Sequence, residues 1–87
     1  MDISKTTINF ATKRNVELVI DEDSISFYPL EDDSGEPAFV YSNTERGMFY
    51  KSNIWLEKTV KEELPYWIVD QTQLRKLIHF VAPSLQN

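Results

Sequence analysis

The chain has no cysteine, two glycines and a single histidine among its 87 residues. The missing cysteine removes disulfides, thiolate catalysis and cysteine-ligated zinc together. So few glycines leave no glycine-rich loop to cradle a phosphate, and they exclude collagen-like and low-complexity sequence. There is no apolar run of about 18 residues, so no transmembrane helix is expected. The first residues, Met1-Asp2-Ile3-Ser4-Lys5-Thr6-Thr7, lack a basic segment followed by an apolar run. No signal peptide is legible there, and the expected location is cytoplasmic. One further absence is local: residues 15–45 contain neither lysine nor arginine.

What is there fits one small domain, with residues 1–5 and 84–87 expected to be flexible. Hydrophobic residues make up 41 % of the chain and aromatics 13 %, enough to exclude disorder over its whole length. The net charge is −5. It is unevenly spread, because nine of the fourteen acids fall in residues 15–45 and the other two stretches are slightly basic.

The first half alternates apolar and polar residues, the signature of half-buried strands. Residues 7–12 place Ile8 and Phe10 on one face, residues 16–20 place Val16, Leu18 and Ile20 inward, and residues 25–29 place Ile25 and Phe27 inward. Further strands are expected at 38–42 and 48–51. Leu56, Val60 and Leu64 leave residues 52–64 ambiguous between strand and helix; the reading adopted is a strand through Lys58, then a turn or short helix. A short strand over 66–69 would bury Trp67 and Val69. Asp70 and Gln73 then stand in capping-box positions. Leu74, Leu77, Ile78, Val81 and Leu85 form a helical stripe that Pro83 ends. The expected fold is α+β: an antiparallel meander of about five to seven short strands with one C-terminal amphipathic helix packed on one face. The expected core is Ile8, Phe10, Val16, Leu18, Ile20, Ile25, Phe27, Phe39, Trp67, Val69, Leu74, Leu77, Ile78 and Val81.

For catalysis the chain offers little. His79 sits opposite the apolar stripe with no acid spaced to orient it, so it reads as a solvent-facing side chain rather than a general base. The acidic runs fail as calcium loops. Such a loop needs oxygen donors at its first, third and fifth positions and glycine at its sixth. Counting from Asp21 puts Ile25 fifth and Ser26 sixth; counting from Asp32 puts Pro37 sixth. No metal or cofactor is expected, and no enzymatic activity.

The acids have another reading. Glu17, Asp21, Glu22, Asp23, Glu31, Asp32, Asp33 and Glu36 can form an acidic face that speeds association with a basic partner. The plainer reading is that turns favour Asp anyway. Tyr50 and Trp55 are candidate aromatic anchors, since Trp and Tyr are enriched at interface hot spots; the plainer reading of Trp55 is core. The expected function is therefore a non-enzymatic protein-binding module. Its type is an acidic inhibitor, immunity or anti-defence protein that engages a basic, nucleic-acid-binding partner protein. One alternative is a structural or accessory subunit acting through homo- or hetero-oligomerisation; monomer and homodimer both stay open. A second is single-stranded nucleic-acid binding, using Lys51, Lys58, Lys61, Arg75 and Lys76 near Phe49, Tyr50, Trp55, Tyr66 and Trp67. The acidic balance argues against that second alternative, and no membrane partner is expected.

Overall fold

A computed structural model describes residues 1–31 and 35–85. The order of elements is α1 (Lys5–Lys13), β1 (Val16–Ile20), β2 (Ser24–Pro29), β3 (Phe39–Thr44), β4 (Gly47–Asn53), α2 (Lys58–Lys61), β5 (Trp67–Ile68) and α3 (Gln71–Val81), with a 3-10 turn over Ala82–Leu85. The strands form one antiparallel sheet in sequence order, β1 to β5. The fold is α+β, with a five-stranded meander and a C-terminal helix as expected.

The sheet follows from its alternation. β2 buries Ile25, Phe27 and Pro29, and β3 buries Phe39 and Tyr41. These aromatics meet across the strands: Phe27 stacks on Phe39 at 4.3 Å between ring centres, and Tyr41 stands edge-on to both. Such pairs add to the burial that drives the sheet together. A bulge between Val40 and Tyr41 shifts the register, so that Tyr41 opposes Tyr50 and Val40 opposes Ser52.

The helix α3 begins where the capping residues place it. Asp70 accepts a hydrogen bond from the Gln73 amide at 2.8 Å, and the Gln73 side chain accepts one from the Val69 amide at 2.8 Å. Its stripe of Leu74, Leu77, Ile78 and Val81 is buried in one core with the inward residues of the sheet. Past the helix, the 3-10 turn carries Pro83 and buries Leu85.

Three expectations are corrected. Residues 7–12 are helix, not strand. Ser4 caps α1 by accepting the Thr7 amide at 3.1 Å, and Asn15, at φ 63°, turns the chain from the helix into β1. The side chains that α1 buries are Thr7 and Ala11, one helical turn apart, while Ile8 and Phe10 are only half-buried. Second, β4 stops at Asn53 instead of running to Lys58. The Asn53 side chain bonds both the amide and the carbonyl of Leu56, turning the chain into a bend before α2. Third, β5 has the opposite parity: Ile68 is buried, while Trp67 and Val69 are 53 % and 42 % exposed. Ile20, also assigned to the core, is 43 % exposed at the end of β1, and Leu18 is half-buried. Ala11, Ala38, Tyr41, Met48, Leu56, Ala82 and Leu85 join the core instead. The segments expected to be flexible are 1–5 and 84–87, of which residues 86 and 87 lie outside the described residues. Met1 bonds Asn43 and Thr44, and Leu85 is 1 % exposed.

Helix α1 lies beside α3, and a polar cluster joins them. The Gln71 side-chain oxygen accepts from the Thr7 hydroxyl at 2.8 Å and from the Ser4 amide and hydroxyl at 3.2 Å. Arg75 adds a bond to the Thr7 hydroxyl at 3.1 Å. Thr7 is fully buried, and this network satisfies it.

Candidate functional site

Helices α1 and α3 pack on the same side of the sheet, so its other side faces solvent. Strand alternation and register place Glu17, Val19, Tyr28, Ser26, Ser24, Val40, Ser42, Ser52, Phe49 and Trp67 on that uncovered side. Reading across one row, Ser24 faces Ser42, Ser42 faces Phe49 and Phe49 faces Trp67. The row is polar and small in the middle and aromatic at the β5 end.

The aromatic end is a built cluster. Phe49 stacks on Trp67 at 6.0 Å with the rings 11° from parallel, and Tyr66 stands edge-on to Phe49 at 5.8 Å. Trp67 is held in place by its indole N–H, which donates to the Arg46 carbonyl at 2.9 Å. Tyr66 is 70 % exposed. Beneath Trp67, Gly47 takes φ 118°, and a β-carbon there would collide with the Ile68 carbonyl. Around the edge of β5 opens a shallow cleft of about 400 Å³, lined by Pro65, Trp67, Ile68, Leu77 and Phe80, with Glu63, Gln73 and Lys76 completing its wall. Phe80 is 45 % exposed. Rigid aromatics left half in water beside an apolar cleft are the side chains that dominate binding energy when a partner covers them.

Tyr41 fixes the approach to this end. Its hydroxyl donates to the Pro65 carbonyl at 2.5 Å, just before Tyr66 and Trp67. Burial, and secondarily the neighbouring Tyr50, pushes the Tyr41 hydroxyl well above the ordinary phenol range, so it stays a donor.

The acids lie apart from this cluster. Asp21, Glu22 and Asp23 form the β1–β2 turn, and all three are exposed. Glu31 follows β2 at the opposite end, about 20 Å away by the length of six strand residues. Glu36 lies in the same loop region, and Glu17 lies between the two ends on the uncovered face. Asp32 and Asp33 lie outside the described residues. The acids are thus spread over both ends of the sheet and do not make a compact patch. Among the described residues, no three His, Cys, Asp or Glu side chains gather closely enough to hold a metal ion.

Neither candidate anchor joins the aromatic cluster. Tyr50 is half-buried and edge-on to Tyr41 at 5.9 Å. Trp55 is 41 % exposed, but its indole N–H reaches the Glu36 carbonyl at the far end of β3. The aromatic cluster is instead built from Phe49, Tyr66 and Trp67, and Trp67 was expected in the core. No local sequence signal marks this, because the parity of β5 is set by Met48 opposite Ile68.

The basic residues do not follow the aromatics. Of Lys51, Lys58, Lys61, Arg75 and Lys76, only Lys76 lines the cleft beside Trp67. Arg75 points to Thr7 and Thr72. His79 is exposed and lines a groove with Phe10, Thr72, Arg75 and Lys76. Among the described residues, no helix is long and apolar enough to cross a membrane.

No protein-family model matches the chain, and no significant match is found to a curated protein or a solved structure.

Proposed function

We propose that the chain is a non-enzymatic protein-binding module of the inhibitor or immunity type, and that it docks a basic partner on the uncovered sheet face and the β5 cleft. The observation that carries this reading is the exposed cluster of Phe49, Tyr66 and Trp67 beside an apolar cleft. Trp67 supplies the anchor. Glu17 and the Asp21–Asp23 turn supply a negative field at the other side, about 19 Å across five strands, which steers a basic surface onto the face. A nucleic-acid-binding protein is a partner of that chemistry, since its phosphate-binding surface is already basic.

The test is capture from the native host by the full chain, followed by binding kinetics on the captured protein. Trp67→Ala is expected to weaken affinity more than tenfold, mainly by faster dissociation. Neutralising Glu17, Asp21 and Asp23 together slows association and flattens its salt dependence. If both variants capture and bind as the original chain does, the reading fails.

A further inference from the structure

The edge formed by β1 carries a second surface. No strand pairs with its outer side among the described residues, since the sheet begins with β1. The Asp21 amide bonds Ser24 and the Leu30 amide bonds Asn15. Residues 15, 17, 19 and 21 therefore direct their main-chain groups to β2, and antiparallel alternation turns those of Leu18 and Ile20 away from it. An open strand of five residues is a template for another strand. Natural edges are blunted by charged side chains, lysine above all, by proline or by a bulge; within Val16–Ile20 there is no lysine, proline or bulge, and Glu17 is the one charge. Its apolar side chains are also incompletely covered: Val19 is 36 % exposed and Ile20 is 43 % exposed.

The charges at the two ends of this strand are opposite. Lys13 and Arg14 precede it, and Asp21, Glu22 and Asp23 follow it. A parallel neighbour of the same sequence would set like charges side by side. An antiparallel neighbour sets each basic end beside an acidic end. A two-fold axis at Leu18 does this twice. It also places Val16 opposite Ile20 of the second copy, and Glu17 opposite Val19. Moving the axis to Glu17 would oppose two glutamates, and moving it to Val19 would oppose Glu17 with Asp21. We infer that a second copy of this chain is the occupant of the β1 edge, in an antiparallel two-fold register centred on Leu18. The result is a continuous ten-stranded sheet with the helices of both copies on one side. This symmetry is closed, so association stops at two.

The inference stands apart from the partner-binding reading, because its test contains only this chain. Sedimentation velocity of the full chain at tens of micromolar is expected to show a dimer that weakens as salt rises. Lys13→Glu and Asp23→Lys are each expected to weaken it about tenfold or more. An equimolar mixture of those two variants is expected to recover the dimer, because each changed end meets its complement. Ile20→Pro removes an outward N–H without touching the ladder to β2, and is expected to leave a folded monomer by circular dichroism. A chain that stays monomeric throughout this range overturns the proposal. So does a dimer indifferent to both charge reversals, or a mixture that fails to recover.

Discussion

The two edges of the sheet are built in opposite ways. The β1 edge is five residues long and held by its ladder to β2; its outward main-chain groups and the side chains of Val19 and Ile20 are left in the open. The β5 edge is two residues long, too short for a ladder alone. It is fastened by particular groups: the Tyr41 hydroxyl on the Pro65 carbonyl, the Tyr50 amide on the Tyr66 carbonyl, and the Trp67 indole on the Arg46 carbonyl. Gly47 makes room for it. A long strand is specified by pattern and tolerates change at single positions. A short one depends on each fastener.

That contrast can be broken most severely at Gly47. Gly47→Val forces a branched side chain into φ 118° and against the Ile68 carbonyl. It is expected to cost about 3 kcal/mol or more in denaturant unfolding, through strain and displacement of β5. Tyr41→Phe is next, at about 1–2 kcal/mol, because it leaves the Pro65 carbonyl without its donor. The same residue gives a pH signature. In the unfolded chain its hydroxyl titrates near 10.0, while in the fold it holds its proton to higher pH. Stability from this group is therefore complete below pH 10 and declines as pH rises above it. Unfolding free energy measured from pH 8 to pH 11 should fall more for the original chain than for Tyr41→Phe. Asp70→Ala, which removes the cap that follows β5, is expected to cost about 1 kcal/mol by the same unfolding assay. At the other edge, Ile20→Ser is expected to cost the single chain no more than about 1 kcal/mol, because Ile20 is 43 % exposed, measured at concentrations low enough to exclude association. A large loss there would remove the distinction between the edges.

The same distinction explains what the sequence could show. Strands β1, β2 and β3 were legible because Val16, Ile25, Phe27 and Phe39 alternate with polar residues, and α3 because Asp70 and Gln73 mark its start. The parity of β5 was not. Reading Trp67 inward follows from its size, but a one-residue slip flips every side chain to the other face. What decides it is Met48 opposite Ile68 and Gly47 beneath, both distant in sequence. Helix α1 was misread because Ile8 and Phe10 alternate, while its buried contacts are made by Thr7 and Ala11, small residues that carry no hydrophobic period. Nothing in that alternation marks Ser4 as the cap of α1. The acidic candidates were legible as a charge excess along 15–45. Their separation to opposite ends of β2 depended on the turns, and the aromatic cluster depended on β5.

The cluster around Gln71 has a kinetic consequence. Every strand pairs with its sequence neighbour, so the sheet can form by successive local closures, which favours rapid folding. The bonds that tie Asp2, Ser4 and Thr7 to Gln71 and Arg75 span 64 to 69 residues, the longest loops closed by side-chain bonds among the described residues. Closing them has a high entropic cost before the meander has formed and a small one after it. Gln71→Ala should therefore leave the refolding rate nearly unchanged in stopped-flow measurements and raise the unfolding rate several-fold. The cluster acts as a late clasp: it sets how long the folded chain lasts and contributes little to how quickly it is reached.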